Sequence, residues 1–123
     1  MNLLLDTHVL IWWDSGMPLS NEAQRAIHEA DMVFVSAATA WEVEIKRALG
    51  RAVGSRRVDE AVVASGFREL PVLFRHTQRL QGLPPVHRDP FDRLLIAQAQ
   101  DEGLTIVTRD AQFRDYEVPT IAA

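Results

Sequence analysis

The chain contains no cysteine. That excludes disulfides, a thiolate metal site and a cysteine nucleophile, and it suits a reducing compartment, so a cytoplasmic location is expected. No apolar stretch approaches the roughly 20 residues needed to span a bilayer, and no membrane association is expected. Met1 to Asp6 has no basic region, and its apolar run is too short for a secretory signal. There is no internal repeat, low-complexity tract or linker. The four histidines, His8, His28, His76 and His87, lack zinc-ligand spacing, so each reads as structural or exposed.

What remains is a chain of 123 residues, 47% of them hydrophobic, within the usual size range of one domain and rich enough to form a core. A single domain over residues 1–123 is expected. The net charge of −4 argues against nucleic-acid binding by the whole surface. The distribution is uneven. From Glu44 to Arg93 there are ten basic and six acidic residues, a net of +4, which leaves −8 for the rest. An acidic centre with a basic flank suits a metal site that also holds a polyanion; for any single Arg, decoration of a solvated helix is the plainer reading.

Strands alternate with helices. Leu3-Leu4-Leu5 is a short continuous apolar run and reads as a buried parallel strand. Thr7 to Trp13 follows as helical turns, and Ser20 is placed to cap a helix to about Ala30. Met32 to Val35 is the second strand. Ser36 caps a helix from Ala37 to about Leu49, on which Ala38, Trp41, Ile45, Ala48 and Leu49 form one apolar stripe, the side expected to face the core. A helix from about Val58 to Gly66 precedes a short strand within Phe67 to Leu73, held to an edge by Pro71, and residues 74–81 read as helical. Asp89 as N-cap and Pro90 as first helical residue open the best-defined helix, Phe91 to Glu102, which Gly103 terminates. Leu104 to Val107 is a further buried strand, and a last one is expected near Val118 to Ile121. The alternation predicts an α/β fold: an open, mostly parallel sheet of about five strands flanked by helices.

Four acids stand where strands hand over to helices: Asp6, Glu42, Asp92 and Asp110. Each has a plain reading alone. Asp6 and Asp110 can cap the turns after them, Glu42 can form an i,i+4 surface ion pair with Lys46, and Asp92 can close a capping box with Asp89, which is itself assigned mainly to capping. Placement sets them apart as a group. In open α/β sheets ligands bind outside the carboxyl ends of the strands, and four carboxylates gathered there repel one another unless a cation sits among them. Oxygen donors without Cys or His suit Mg²⁺ or Mn²⁺. Thr108, two residues before Asp110, is a supporting hydroxyl for an Asp or a water, or a strand-end turn residue.

The segments LLLDTHVLIW (Leu3 to Trp12), VSAATAWEVEIK (Val35 to Lys46), HRDPFDRLLIAQA (His87 to Ala99) and TIVTRDAQF (Thr105 to Phe113) together resemble the PIN domain, and within it the VapC-like toxins of bacterial toxin–antitoxin pairs. The resemblance spans nearly the whole chain and implies a PIN-like α/β/α sandwich. It implies a metal-dependent endoribonuclease, a homodimer silenced by a cognate antitoxin. It carries the family's acidic quartet onto Asp6, Glu42, Asp92 and Asp110, with Thr108 beside the metal. Asp6 and Asp92 then act as direct ligands, Asp110 ligates or acts through water, and Glu42 orients or deprotonates the attacking water. Arg93, Arg47, Arg51, Arg56 and Arg57 are candidates for RNA phosphate contacts; Arg93, next to Asp92, reads equally as an ion-pair partner of the quartet.

Rival classes fit less well. A haloacid-dehalogenase-type phosphotransferase needs a second Asp two residues after the first, where this chain has His8. A phospho-accepting receiver needs a Lys at a late strand end, and the one lysine is Lys46, inside a helix. A catalytically degenerate PIN-like scaffold or RNA-binding module is the alternative, and the intact quartet argues against it. Adjacent Trp12 and Trp13 point about 100° apart on a helix, so at least one is expected at a homodimer or antitoxin contact.

Overall fold

A computed structural model describes all 123 residues. Five strands, β1 (Asn2–Leu5), β2 (Met32–Ser36), β3 (Arg68–Leu70), β4 (Thr105–Thr108) and β5 (Thr120–Ala122), form one sheet in the order β3-β2-β1-β4-β5. Every pairing is parallel. Six helices accompany it: α1 (Thr7–Asp14), α2 (Asn21–Glu29), α3 (Ala37–Ala48), α4 (Val58–Ser65), α5 (Phe74–Arg79) and α6 (Pro90–Glu102). Short 3-10 turns lie at Leu80–Gly82 and Ala111–Asp115.

The apolar runs become strands because both faces of the sheet are covered. Leu3 and Leu5 pack with Val33, Val35, Val107, α1, α2 and α4 on one face; Leu4 and Ile106 pack with Leu95, Ile96, Ala99 and Phe113 on the other. Each fully buried Leu or Ile stabilises the fold by about 1.5–3 kcal/mol relative to exposure. β1 is central, which explains its uninterrupted leucines, whereas β3, followed by Pro71, is an edge strand, as its sequence predicts.

Helix boundaries follow their caps. Ser20 accepts the amide of Ala23 at 3.0 Å, and Ser36 that of Ala38 at 3.0 Å. Asp89 accepts those of Phe91 (2.8 Å) and Asp92 (3.2 Å), with Pro90 at the first helical position. Gly66 and Gly103 end α4 and α6 at φ of 71° and 68°, a left-handed conformation that glycine adopts without a Cβ penalty. Gln98 of α6 is fully buried and satisfied: it accepts from Ser36 Oγ at 2.6 Å and donates to the Pro71 carbonyl at 3.2 Å. These bonds tie α6 to the carboxyl end of β2, the end at which the acids gather.

Apart from Ala38, the stripe on α3 faces outward rather than towards the core. Trp41 is 63% exposed, and Ile45 and Leu49 are also exposed, while Ala38, Thr39, Glu42 and Val43 are buried. The polar side of α3 turns inward because hydroxyls and a lysine there satisfy it, and the large apolar side chains are left outside.

Candidate active site

β1 and β4 are neighbours, with Leu5 opposite Val107, so the residues that follow them share one end of the sheet. The Asp6 amide donates to the Val107 carbonyl at 3.1 Å. Its Oδ1 accepts the Val9 amide at 2.8 Å and caps α1, while its Oδ2 accepts the Thr108 hydroxyl at 2.5 Å. Thr108 Oγ in turn accepts the Asp110 amide at 3.0 Å. Asp110 repeats the division of labour: Oδ1 accepts the Gln112 amide at 2.9 Å and caps the 3-10 turn, and Oδ2 lies 2.7 Å from His87 Nε2. Capping and clustering are therefore two uses of one side chain, each taking one oxygen.

Asp92 sits in the first turn of α6. It closes no capping box, because the Asp89 amide donates to His87 Nδ1 at 3.2 Å instead. Asp92 Oδ2 lies 3.0 Å from His87 Nε2. Glu42 reaches the cluster from α3. Its Oε1 accepts from Thr7 Oγ at 2.7 Å and its Oε2 pairs with Lys46 Nζ at 2.8 Å. The i,i+4 pair thus exists, but at 4% exposure of the Glu42 side chain it is a buried contact, unlike the surface pair the sequence suggests.

The electrostatics join these groups. Burial pushes Asp92 up to about 7, helped by the charge of Asp89 and then by those of Asp6 and Glu42, and opposed by His87. Burial also raises Asp6, against the lowering effect of its bonds from Thr108 and Val9, with Asp110 adding a smaller push upward. No Arg pairs with Asp6, Asp92 or Asp110. Crowded, partly desolvated carboxylates without a matching Arg or Lys, oriented by neutral donors on both oxygens of Asp6 and Asp110 and by His87 on one of Asp92, fit a hard divalent cation. At this end of the sheet His87, Asp92 and Asp110 offer ligand atoms all within 4.8 Å of one another.

Four of the five basic candidates are engaged within the chain. Arg93 pairs with none of the four acids. Its guanidinium fans into the preceding loop, to the carbonyls of Pro84 (2.9 Å), Leu83, His87 and Leu80 and to Tyr116 Oη. Arg47 binds the carbonyls of Gly54 and Arg56, each at 3.2 Å. Arg56 pairs with Asp14, and Arg57 with Asp59 and Glu60. Arg51 is exposed and has no ion pair or side-chain hydrogen bond. Trp12 lies beneath the Arg109 guanidinium, 4.1 Å from ring centroid to Cζ, and Trp13 packs on Phe67 and His28 with its Nε1 donating to Ser65 Oγ.

Sequence reasoning missed His87, Thr7 and the inward role of Lys46. A test for zinc spacing does not detect a histidine that serves as a donor to carboxylates. The useful signal was its place two residues before the Asp89 cap. His76 was also placed too loosely. It is fully buried, accepts the Leu73 amide on Nδ1 at 3.0 Å and contacts Glu102 at 3.0 Å through Nε2. Arg75 and Arg79 neutralise the Asp101 and Glu102 carboxylates beside it, so that cluster clamps α5 to α6.

Residues 3–119 match the profile of the PIN domain. The chain belongs to the PIN-domain family. It is 30% identical over 129 residues to Ribonuclease VapC22 of Mycobacterium tuberculosis, an alignment covering 95% of this chain and 93% of that one. Among solved structures, it resembles a chain of VapBC2 from Rickettsia felis bound to a promoter DNA fragment, with a TM-score of 0.70 at 14% identity over 99% of this chain and 98% of that one. FitAcB from Neisseria gonorrhoeae gives 0.67 at 23% identity over 98% and 96%. Those likenesses show that the five-stranded parallel sheet and its helices are a PIN fold.

Proposed function

We propose that this PIN domain is a Mg²⁺- or Mn²⁺-dependent endoribonuclease and the toxin of a toxin–antitoxin pair. The observation that carries the reading is the gathering of Asp6, Glu42, Asp92 and Asp110 at one end of the sheet, where burial first, and then the charges of Asp89, Asp6 and Glu42, lift Asp92 to about 7. The identity to a named ribonuclease over nearly the full length of both chains supports RNA as the substrate class. The fold shared with VapBC and Fit complexes supports a cognate antitoxin. No helix is long and apolar enough to cross a membrane; a cytoplasmic enzyme and a homodimer complete the proposal.

Asp6, Asp92 and Asp110 would hold the cation, which when bound would supply Lewis-acid polarisation of the scissile phosphate and offset the charge building on its oxygens. Thr108 fixes the rotamer of Asp6, and the caps fix Asp6 and Asp110, so these ligands need little reorganisation to bind. Glu42, its oxygens held by Thr7 and Lys46, orients the attacking water and takes its proton. Of the five basic candidates, Arg51 is the one left free to meet the RNA backbone.

The deciding experiment is cleavage of total RNA by purified protein with Mn²⁺ or Mg²⁺, with EDTA, and in Asp6→Asn and Asp92→Asn variants. Loss of cleavage in EDTA and in both folded variants is expected. Full activity in EDTA, or in both variants, would overturn the proposal.

A further inference from the structure

His87 enters the site from the loop before α6, and three sets of contacts hold it there. Its backbone amide donates to Tyr116 Oη at 2.8 Å, and that hydroxyl donates to the Pro84 carbonyl at 2.9 Å. Arg93 gathers four carbonyls of the same loop. The imidazole meets the fully buried Phe113 ring edge-on, 5.6 Å between centroids and 81° between planes. The side chain is 10% exposed. A loop fastened this thoroughly delivers one group, the imidazole edge, to one place.

That place lies between two acids from separate elements. Asp92 belongs to α6 and Asp110 to the turn after β4, and each has an oxygen within 3.0 Å of His87 Nε2. The other ring nitrogen decides what Nε2 can do. Nδ1 accepts the Asp89 amide at 3.2 Å, so the hydrogen-bond network assigns the ring proton to Nε2. Nε2 then carries no free lone pair. For it to ligate a cation, the proton would have to move to Nδ1, where it would face the Asp89 N–H, donor against donor. Asp92 has no other side-chain partner, so without His87 nothing but the cation would draw it towards Asp110.

We infer that His87 is a positioning residue of the proposed cation site: its Nε2–H draws Asp92 and Asp110 into ligating distance of each other, and the imidazole is not itself a ligand. This inference rests on the proposed metal-dependent reading. Asp110 receives the N–H directly and Asp92 stands beside it, so the positive edge of the ring offsets their repulsion before any cation arrives. Residues in such supporting positions around metal sites typically alter metal affinity by about 10–100-fold.

The test uses the full chain and Mn²⁺ alone, without RNA. Mn²⁺ affinity is measured by electron paramagnetic resonance in wild type, His87→Leu and His87→Gln, with thermal melts to check folding. Gln reaches about as far as Nε2 and keeps an N–H donor; Leu fills the space without one. The expected result is Mn²⁺ binding about 10–100-fold weaker in His87→Leu, recovered largely in His87→Gln. Electron spin-echo modulation of the wild-type Mn²⁺ complex should show no directly coordinated imidazole nitrogen. A directly coordinated nitrogen, wild-type affinity in folded His87→Leu, or a folded His87→Gln no better than His87→Leu would each overturn the inference. Wild type that binds Mn²⁺ but cleaves no RNA overturns the ribonuclease reading alone, and wild type that binds no Mn²⁺ overturns both.

Discussion

Thr108 donates to Asp6 at 2.5 Å across the β1–β4 pair, and the same oxygen accepts the amide of Asp110 at 3.0 Å. One hydroxyl therefore sets the rotamer of one acid and the backbone of another. Thr108→Val keeps the shape and removes both bonds. Asp6 is buried, so the loss should cost about 1–3 kcal/mol. The Thr108 bond lowers the Asp6 pKa, so its removal should hurt the ionised form more. Urea denaturation should show a larger loss at pH 8 than at pH 4; an equal loss at both would mean that the bond does not favour the carboxylate.

The raised acids set a pH dependence. Asp92 rises from 3.8 to about 7 on folding, so between these values the native state holds more protons than the unfolded chain. Stability must then fall as pH rises through that window, the reverse of a salt-bridged carboxylate. Raised Asp6 acts in the same direction. Metal-free protein should melt at a higher temperature near pH 5 than at pH 8, and Asp92→Asn should shrink the difference. A cation that binds only the native state restores stability, by about 2.7 kcal/mol at a concentration 100 times its Kd. Melting curves with and without Mn²⁺ at pH 8 check both parts.

Arg93 and Arg51 should behave oppositely. Arg93 holds the loop that carries His87, so Arg93→Ala should lower the melting temperature and weaken Mn²⁺ binding, while barely altering the salt dependence of RNA affinity. Arg51 has no partner within the chain. If it contacts a phosphate, Arg51→Ala should flatten the plot of log affinity against log salt by about one unit and leave the fold intact. RNA binding measured in the presence of Ca²⁺ across a salt series separates the two; an unchanged slope for Arg51→Ala removes it from the RNA path.

Much of this architecture was legible in the chain, and the failures share a cause. Leu3-Leu4-Leu5 could only be a strand covered on both sides, and Asp89-Pro90 could only start a helix, because those signals are local. The acids were legible because their strands were. The directions of side chains were not. Glu42 and Trp41 are adjacent on α3, and hydrophobicity alone sends Trp41 inward. Thr7 and Lys46 reverse the choice by satisfying Glu42 inside, and Thr7 lies on another helix, 35 residues away. Arg93 misled for a related reason: its closeness to Asp92 in sequence says nothing about the carbonyls of a loop that folds back beneath it. His87 could be read as a member of the site only once Asp110, 23 residues away, was beside it.

The outward face of α3 gives the last prediction. Trp41, Ile45 and Leu49 lie on one side of that helix, exposed, and Trp41 touches the ring of Phe91 edge-on with 5.1 Å between centroids. Phe91 directly precedes Asp92, so this apolar surface borders the acids. Contiguous exposed aromatic and aliphatic side chains mark interaction surfaces. Trp12 and Trp13, the first choice from sequence, are both half-buried and already stacked on Arg109, Phe67 and His28, which leaves Trp41 as the stronger candidate for contact between two copies. Trp41→Glu should turn a dimer into a monomer in light scattering, because it places a charge in the centre of the contact, whereas Trp12→Ala should leave the dimer and lower the melting temperature. Since Glu42 and Lys46 face inward from the same helix, the monomeric variant should still bind Mn²⁺. A Trp41→Glu protein that stays dimeric would place the contact elsewhere on the fold.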